Sequence, residues 1–401
     1  MSDFIFVTCQ IGAEGAVKGE LARRWPAFRL AFSRPGFLTF KLPSIHRLAE
    51  DFDLESVFAR AYGFSLGKVT GKTPEKIAAD LRAGAGRFSG QYFGQTPEEL
   101  AAGVWKAAEG RPVQRIHVWQ KDARAAGDRG FEPSLSEEAS NVHRLLVEAC
   151  PHPENLVRGG VARASCPCSG QHWRDASATQ AARAGESVLD CVLLTPDQWW
   201  IGYHRANSIP SLYPGGMMSL ELPLEAVSRA WLKMEEALRW SRLPIPRGAR
   251  VAEIGSAPGG ASQALLARGM WVTGIDPAEM DPAVLNHPCF THIRRRSTQV
   301  RRREFQKIRW LTADMNVAPK YTLDAIEAIV AHPRVSIRGL LLTLKLTRWD
   351  LAEQLPDHLD RIRSWGFNVV RARQLHHNGR EVCVAALQQP FHRKPFLGQR
   401  R

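Results

Sequence analysis

One stretch constrains the fold more than any other. The apolar run Arg250-Val251-Ala252-Glu253-Ile254 ends in a glycine-rich turn, Gly255-Ser256-Ala257-Pro258-Gly259-Gly260. A helix-compatible segment, Ala261 to Arg268, follows. A second short apolar run, Trp271-Val272-Thr273-Gly274-Ile275, then stops on Asp276. The pattern predicts a strand, a tight turn, a helix and a strand with a carboxylate at its tip. Glycines in such a turn let the backbone approach a ligand closely, and the tip acid can take both hydroxyls of a ribose. The unit therefore reads as a binder of an adenosine-containing cofactor.

The surrounding pattern extends it. From residue 225 apolar strands alternate with helices: a helix over 225–240, then strands over 250–255, 270–275, 290–294, 308–313, 338–345, 367–373 and 381–387. That alternation predicts a parallel, doubly wound sheet. Only a short stretch, His376-His377-Asn378-Gly379, separates the last two runs, and Asn-Gly is a hairpin signal. The sheet should thus end in an antiparallel pair, as a class I methyltransferase fold does and a nicotinamide-binding domain need not.

Residues 1–205 read as an α+β region, with a candidate division near residue 70. Strands are expected at Ile5–Val7, Phe37–Phe40, Ile116–Trp119 and Val188–Leu194, the last pairing with Trp199–Tyr203 across Pro196-Asp197. Helices are expected over Ile11–Trp25 and, from the Thr73-Pro74 start, over Thr73–Leu81. Pro210, Pro214, Gly215, Gly216 and Pro223 mark 206–224 as a linker, and 391–401 reads as a basic tail.

Composition narrows the partners. The chain has 401 residues, and its 54 Lys+Arg against 40 Asp+Glu leave a formal charge of +14. This excess favours a polyanion, nucleic acid before a membrane surface. No apolar run approaches the roughly 20 residues that span a bilayer, and Met1-Ser2-Asp3-Phe4 opens no signal peptide. Seven cysteines without framework spacing fit reduced thiols and a cytoplasmic protein. Cys150, Cys166, Cys168 and His172 include a Cys-x-Cys pair, poor spacing for zinc, so no metal is expected.

The turn itself discriminates among cofactors. Its spacing is G-x-x-P-G-G, not G-x-G-x-x-G, and it lacks the Lys-Ser/Thr pair of a phosphate-binding loop. It suits a ligand without a pyrophosphate, and S-adenosylmethionine (SAM) is such a ligand. Four further residues fall at telling stations: Lys233 on the helix before the first strand, Asp314 at the end of the fourth, Lys345 at the end of the fifth, and Glu381 opening the last. Ligands of open α/β sheets sit at the carboxyl ends of the strands, so these side chains should face one crevice. A neutral lysine can take the proton of a ribose 2′-hydroxyl if burial or a nearby cation lowers its pKa. Lys345 is the candidate base, Lys233 the cation that depresses it, and Asp314 and Glu381 the groups that orient both.

Lysine, aspartate, lysine and glutamate at these stations, with the Ala257-Pro258-Gly259-Gly260 loop, resemble the FtsJ/RrmJ-type ribose 2′-O-methyltransferases. The resemblance is nearest to the RlmM group, which acts on a cytidine ribose of large-subunit ribosomal RNA. It covers about 225–388, through Ser228-Arg229-Ala230-Trp231-Leu232-Lys233, Ala313-Asp314-Met315, Leu344-Lys345-Leu346 and Arg380-Glu381-Val382. It implies SAM as cofactor, 23S-type ribosomal RNA as substrate, Lys233, Asp314, Lys345 and Glu381 as catalytic residues, and an N-terminal THUMP-like RNA-binding module. By the same resemblance Gly255, Ala257, Pro258, Gly259, Gly260, Asp276 and Asp314 form the cofactor site. The chain departs from the pattern at Glu253, where the acid is one methylene longer, and at Ala261, where an aromatic is common. At the end of the third strand Arg294-Arg295-Arg296-Ser297 replaces an acid near adenine.

The basic run from Arg294 to Arg309 is either a solvated face or a contact to RNA phosphates. Pro288-Cys289 echoes cytosine-C5 methyltransferases but lies away from the catalytic strand ends, so a buried thiol is expected. Two other functions compete with 2′-O-methylation. One is an RNA-binding protein on a methyltransferase scaffold without turnover; the other is a THUMP-associated base methyltransferase, disfavoured by Asp314-Met315 where such enzymes carry Asn/Asp-Pro-Pro-Tyr.

Overall fold

The computed structural model describes residues 2–43, 48–71, 91–93, 96–125, 131, 135–157 and 180–389. They form two compact units, one of residues 2–157 and 180–219, the other of 220–389. The predicted helix Thr73–Leu81, the basic tail, and Cys166, Cys168 and His172 lie outside the described residues.

The first unit is α+β. Strands β1 (Phe4–Cys9), β2 (Arg29–Arg34), β3 (Phe37–Lys41), β4 (Ala59–Thr70), β5 (Gln91–Phe93), β6 (Arg115–Gln120), β7 (Ser187–Thr195) and β8 (Gln198–Arg205) make one mixed sheet. Its order is β2-β3-β1-β4-β8-β7-β6, with β5 beside β4. Helices Pro97–Ala107 and Glu137–Glu148 cover one face, where Leu100, Val104, Val142 and Leu146 pack on Val118, Leu189 and Ile201. The β7–β8 hairpin has the expected pairing.

Strand β4 has no counterpart in the sequence reading, because Arg60, Gly63 and Gly67 interrupt its apolar pattern. The glycines have tertiary causes. A Cβ at Gly63 would lie 2.8 Å from both Phe6 and the Tyr203 carbonyl, and Gly67 sits at a register shift with φ +116°. Residue 70 is the end of β4, which pairs with β1 on one side and β8 on the other, so the sheet runs unbroken through the division expected there.

The stretch 206–224 is not a free linker. Residues up to 219 belong to the first unit. Pro214, Gly215 and Gly216 are buried, and a Cβ at Gly215 would meet the Trp119 ring at 2.7 Å. Ser211 is tied down by His204, whose Nε2 lies 2.9 Å from the Ser211 carbonyl and whose Nδ1 lies 2.7 Å from Asp190. Burial opposes a charge on His204, but Asp190 outweighs it and holds the imidazole above its usual pKa. His117 stands beside this pair. With both His204 nitrogens facing acceptors, a metal could use the trio only by breaking these bonds.

The second unit is the doubly wound sheet that the alternation predicts. Strands β9 (Arg250–Ile254), β10 (Trp271–Ile275), β11 (Phe290–Ile293), β12 (Trp310–Asp314), β13 (Gly339–Lys345), β14 (Val369–Arg373) and β15 (Glu381–Leu387) are ordered β11-β10-β9-β12-β13-β15-β14. The first five are parallel, and β15 runs antiparallel between β13 and β14. The order reverses at β9, so the ends of β9 and β12 mark the topological switch point. The helix before β9 spans Ala230–Ser241, shorter than the sequence suggests. Ser228 is held in the turn before it, where a Cβ on Gly260 would come within 2.2 Å of its Oγ.

The β14–β15 connection corrects the turn reading. It runs from residue 374 to 380, and neither Asn378 nor Gly379 has the positive φ that a two-residue Asn-Gly turn requires. Asn378 is instead buried, accepting from Leu375 N–H and donating to Glu381.

Candidate active site

The four stations converge. Parallel pairing puts Asp314 and Lys345 at the carboxyl edges of adjacent strands, and the antiparallel register sets Lys345 directly opposite Glu381. Lys233 reaches them from the helix Ala230–Ser241. Its Nζ lies 2.7 and 3.0 Å from the Glu381 oxygens and 3.7 Å from Asp314. The Lys345 Nζ lies 3.0 Å from Glu381 and 3.4 Å from Asp314. The result is a closed ring of alternating charge, Lys233–Glu381–Lys345–Asp314, with each lysine side chain 20–25% exposed. The partial exposure leaves the ring open to a substrate.

The ring overturns one expectation. Lys345 was to be depressed by Lys233, but the two carboxylates stand between the ammonium groups. Burial alone would lower the Lys345 pKa; Asp314 and Glu381 outweigh it and hold the amine above the usual lysine value. Burial likewise works against the Glu381 carboxylate, yet Lys233 and Lys345 keep it below the ordinary carboxylate range. In the free protein, Lys345 is an ammonium.

Two residues that support the ring escaped the sequence reading. Glu236 follows Lys233 by one helical turn and is fully buried. It accepts hydrogen bonds from the backbone N–H groups of His376 and His377, both 2.9 Å, and so fixes the loop that delivers Glu381. Burial opposes its charge, but the His376 imidazole, whose Nδ1 lies 3.5 Å away, and then His377 prevail and hold it at about 2. Asn378 completes the support at 3.2 Å from Glu381. The spacing Lys233-x-x-Glu236 on one helix face was a usable signal for Glu236. Nothing local marked Asn378 as other than a turn residue.

The glycine loop abuts this ring. Gly255, at φ +81°, presses against the end of β12, where an added Cβ would lie 2.4 Å from the Asp314 carbonyl oxygen. Gly259, at φ +123°, sits against Val284 and Met280. The Ala257–Pro258 peptide is cis. Gly255→Ala is therefore expected to cost roughly 3 kcal/mol, from left-handed backbone and overpacking together. Chemical denaturation would measure the loss, and a variant as stable as wild type would refute this account of Gly255.

Asp276 stands at the tip of β10, beside the end of β9. One of its oxygens accepts from Ala257 N–H at 3.2 Å and the other from Ala278 N–H at 2.8 Å. A carboxylate has about four acceptor sites, so two remain for a ribose diol. The loop, Asp276 and the open edge fit the nucleoside and amino-acid parts of SAM. At the third strand, Arg294 is exposed and paired with Glu279 at 3.1 Å, so the missing acid is replaced by a cation closing on the loop after β10. Glu253 does not serve the ligand edge; it is 1% exposed and bonded to Ser262 of the helix after the loop. Cys289 is half-buried rather than buried, and it precedes β11 at the opposite edge of the sheet.

A doubly wound sheet with an antiparallel β15, a glycine loop at the switch point and an acid at the tip of β10 defines a class I, Rossmann-like methyltransferase domain. Residues 226–356 match the family described as FtsJ-like methyltransferase, and the chain carries an FtsJ-like methyltransferase domain. The chain is 30% identical over 187 residues to Ribosomal RNA large subunit methyltransferase M of Halorhodospira halophila, covering 46% of this chain and 53% of that one. It is 29% identical over 214 residues to the protein of the same name from Pseudoalteromonas translucida, covering 50% and 58%. The chain thus spans a little over half the length of these curated relatives.

Proposed function

We propose that this protein methylates the 2′-hydroxyl of a ribose in structured RNA, with 23S-type ribosomal RNA as substrate and SAM as methyl donor. The closed Lys233–Glu381–Lys345–Asp314 ring beside the glycine loop carries this reading. Gly255, Ala257, Pro258, Gly259, Gly260, Asp276 and Asp314 would hold SAM, which supplies an electrophilic methyl group when bound. The chain's own residues then have two tasks. The ring fixes the 2′-hydroxyl by hydrogen bonds from its ammonium groups, so that much of the rate comes from alignment. Lys345 takes the hydroxyl proton in those molecules where its amine is neutral, and Glu381 and Asp314 stabilise the resulting ammonium. Lys233 holds Glu381 through its ion pair.

The N-terminal α+β unit is assigned to RNA binding, in the THUMP-like role that the resemblance implies, and the protein to the cytoplasm. Among the described residues no helix is long and apolar enough to cross a membrane. The replaced acid at the third strand motivates the second reading, a binder of RNA without turnover.

Two measurements separate these readings. Titration calorimetry with SAM and NAD should show heat for SAM alone. Incubation with SAM and unmodified large-subunit RNA, followed by mass mapping, should place the new methyl on a ribose. A methyl on a base, or NAD binding without SAM binding, would overturn the proposal; RNA binding without transfer would favour the second reading.

A further inference from the structure

The carboxyl edge of the second unit's sheet carries the ring. The amino edge carries an unusual collection of cations. Arg250 opens β9, Arg309 precedes β12 and Arg338 precedes β13, and these strands are neighbours. Their backbones are laced in a row: Arg309 N–H donates to the Arg250 carbonyl at 3.2 Å, and Arg338 N–H to the Arg309 carbonyl at 2.7 Å. Neighbouring strands are about 4.8 Å apart, so the row gathers closely spaced charge at this edge, although Arg309 Nη1 is held by the Gln306, Ile308 and Ser336 carbonyls at 2.9, 3.0 and 3.4 Å. Arg247, Lys307 and Arg334 lie in the loops entering the same edge.

All six side chains are exposed, and among the described residues none has an acidic partner. Some other cations of the unit do have acidic partners, whereas Arg242, Arg295, Arg296, Arg301 and Lys320, also exposed, show none among the described residues. Arg239 and Arg268 are paired with Glu235, Arg303 with Glu304 and Arg361 with Asp324 and Glu327. Exposed like charges gathered without counter-ions repel one another, which costs stability that a polyanion would restore. Beside them Trp271, at the start of β10, is 47% exposed with Arg250 over its ring. The structure also divides the basic run of the sequence. Arg294 to Arg296 follow β11 at the carboxyl edge, whereas Lys307 and Arg309 belong to the amino edge.

We infer that the amino edge is a second docking surface for RNA phosphates, separate from the reacting edge. The inference rests on the proposed RNA substrate and specifies its class. The seven residues of β13 put about 20 Å between Arg338 and Lys345. One ribose at the ring and phosphates at Arg338 therefore require RNA that bends around the side of the sheet. The substrate is a folded RNA domain, not a short single strand.

The test uses the full chain with Arg250, Lys307, Arg334 and Arg338 all changed to Gln. Affinity is measured against salt for a long, folded large-subunit RNA transcript and for a ten-nucleotide single strand. For the long RNA the slope of log affinity against log salt should flatten by about three units, and affinity near physiological salt should drop at least tenfold. The short strand and SAM should bind as to wild type. A variant with Lys at all the arginine positions and Lys307 retained should keep the wild-type slope, which separates charge loss from misfolding. An unchanged slope for the long RNA overturns the inference while methyl transfer by the wild type still supports the proposed function. Wild type that neither binds nor methylates RNA sinks both. Loss of binding to anionic vesicles or an acidic protein, with RNA affinity intact, would reassign the edge to that partner.

Discussion

Lys345→Arg is expected to lower the single-turnover rate of methyl transfer by roughly two to four orders of magnitude, with SAM and RNA affinities near wild type. Arginine can keep the ion pairs to Glu381 and Asp314, but a guanidinium stays protonated at any working pH and cannot accept the hydroxyl proton. Lys345→Met should fail equally, although it also leaves two carboxylates facing one cation. The pH profile gives an independent check. Asp314 and Glu381 hold Lys345 above the usual lysine pKa, so the neutral amine is scarce throughout the neutral range. The wild-type rate should climb about tenfold per pH unit from about pH 6.5 to 9.5, with no plateau. A profile that levels off near neutrality, or an arginine variant with the wild-type rate, would remove Lys345 as the base.

Glu253 should dominate the pH dependence of stability in the methyltransferase unit. Burial, reinforced by Asp314 and Asp276, pushes its carboxyl up to about 8, and the Ser262 hydroxyl only partly offsets this. The sign follows from linkage. A raised folded-state pKa contributes stability that is fully present below the unfolded value near 4.5. That contribution declines as pH rises and is gone above about 8. The loss across this window is on the order of 4–5 kcal/mol, at about 1.4 kcal/mol per unit. Glu253→Gln keeps the shape and cannot ionise. Its denaturation midpoint should match wild type near pH 5 and exceed it clearly at pH 8.5. Parallel midpoints for the two proteins from pH 5 to 8.5 would show that Glu253 does not titrate in this way.

The membership of the ring was largely legible in the chain. Each ring residue sits at an element end that hydrophobic periodicity locates, and the parallel alternation obliges strand ends to share an edge. Strand order alone thus brings Lys345 and Asp314 together, and Glu381 follows from the antiparallel pair. The support of the ring was not legible. Glu236 and Asn378 act through buried hydrogen bonds to residues more than a hundred positions away or within an irregular loop. Strand β4 was hidden for a related reason: Gly63 responds to Phe6, Asp190 and Tyr203 across the sheet, contacts that no local pattern encodes.

The sequence by itself determined the doubly wound unit, the glycine loop, the tip acid Asp276 and the identity of the four ring residues, because strand and helix periods are local properties of side-chain order. Only the tertiary structure decided the charge state of that ring and the partition of the basic residues. The Lys345 proton affinity depends on Glu381 and Asp314 lying between it and Lys233, a matter of ångströms that sequence spacing does not carry. The separation of Arg294 from Arg309 depends on which end of a strand each one meets. Electrostatic energy falls with distance in space, and a chain that reverses at every turn keeps no record of that distance in its numbering.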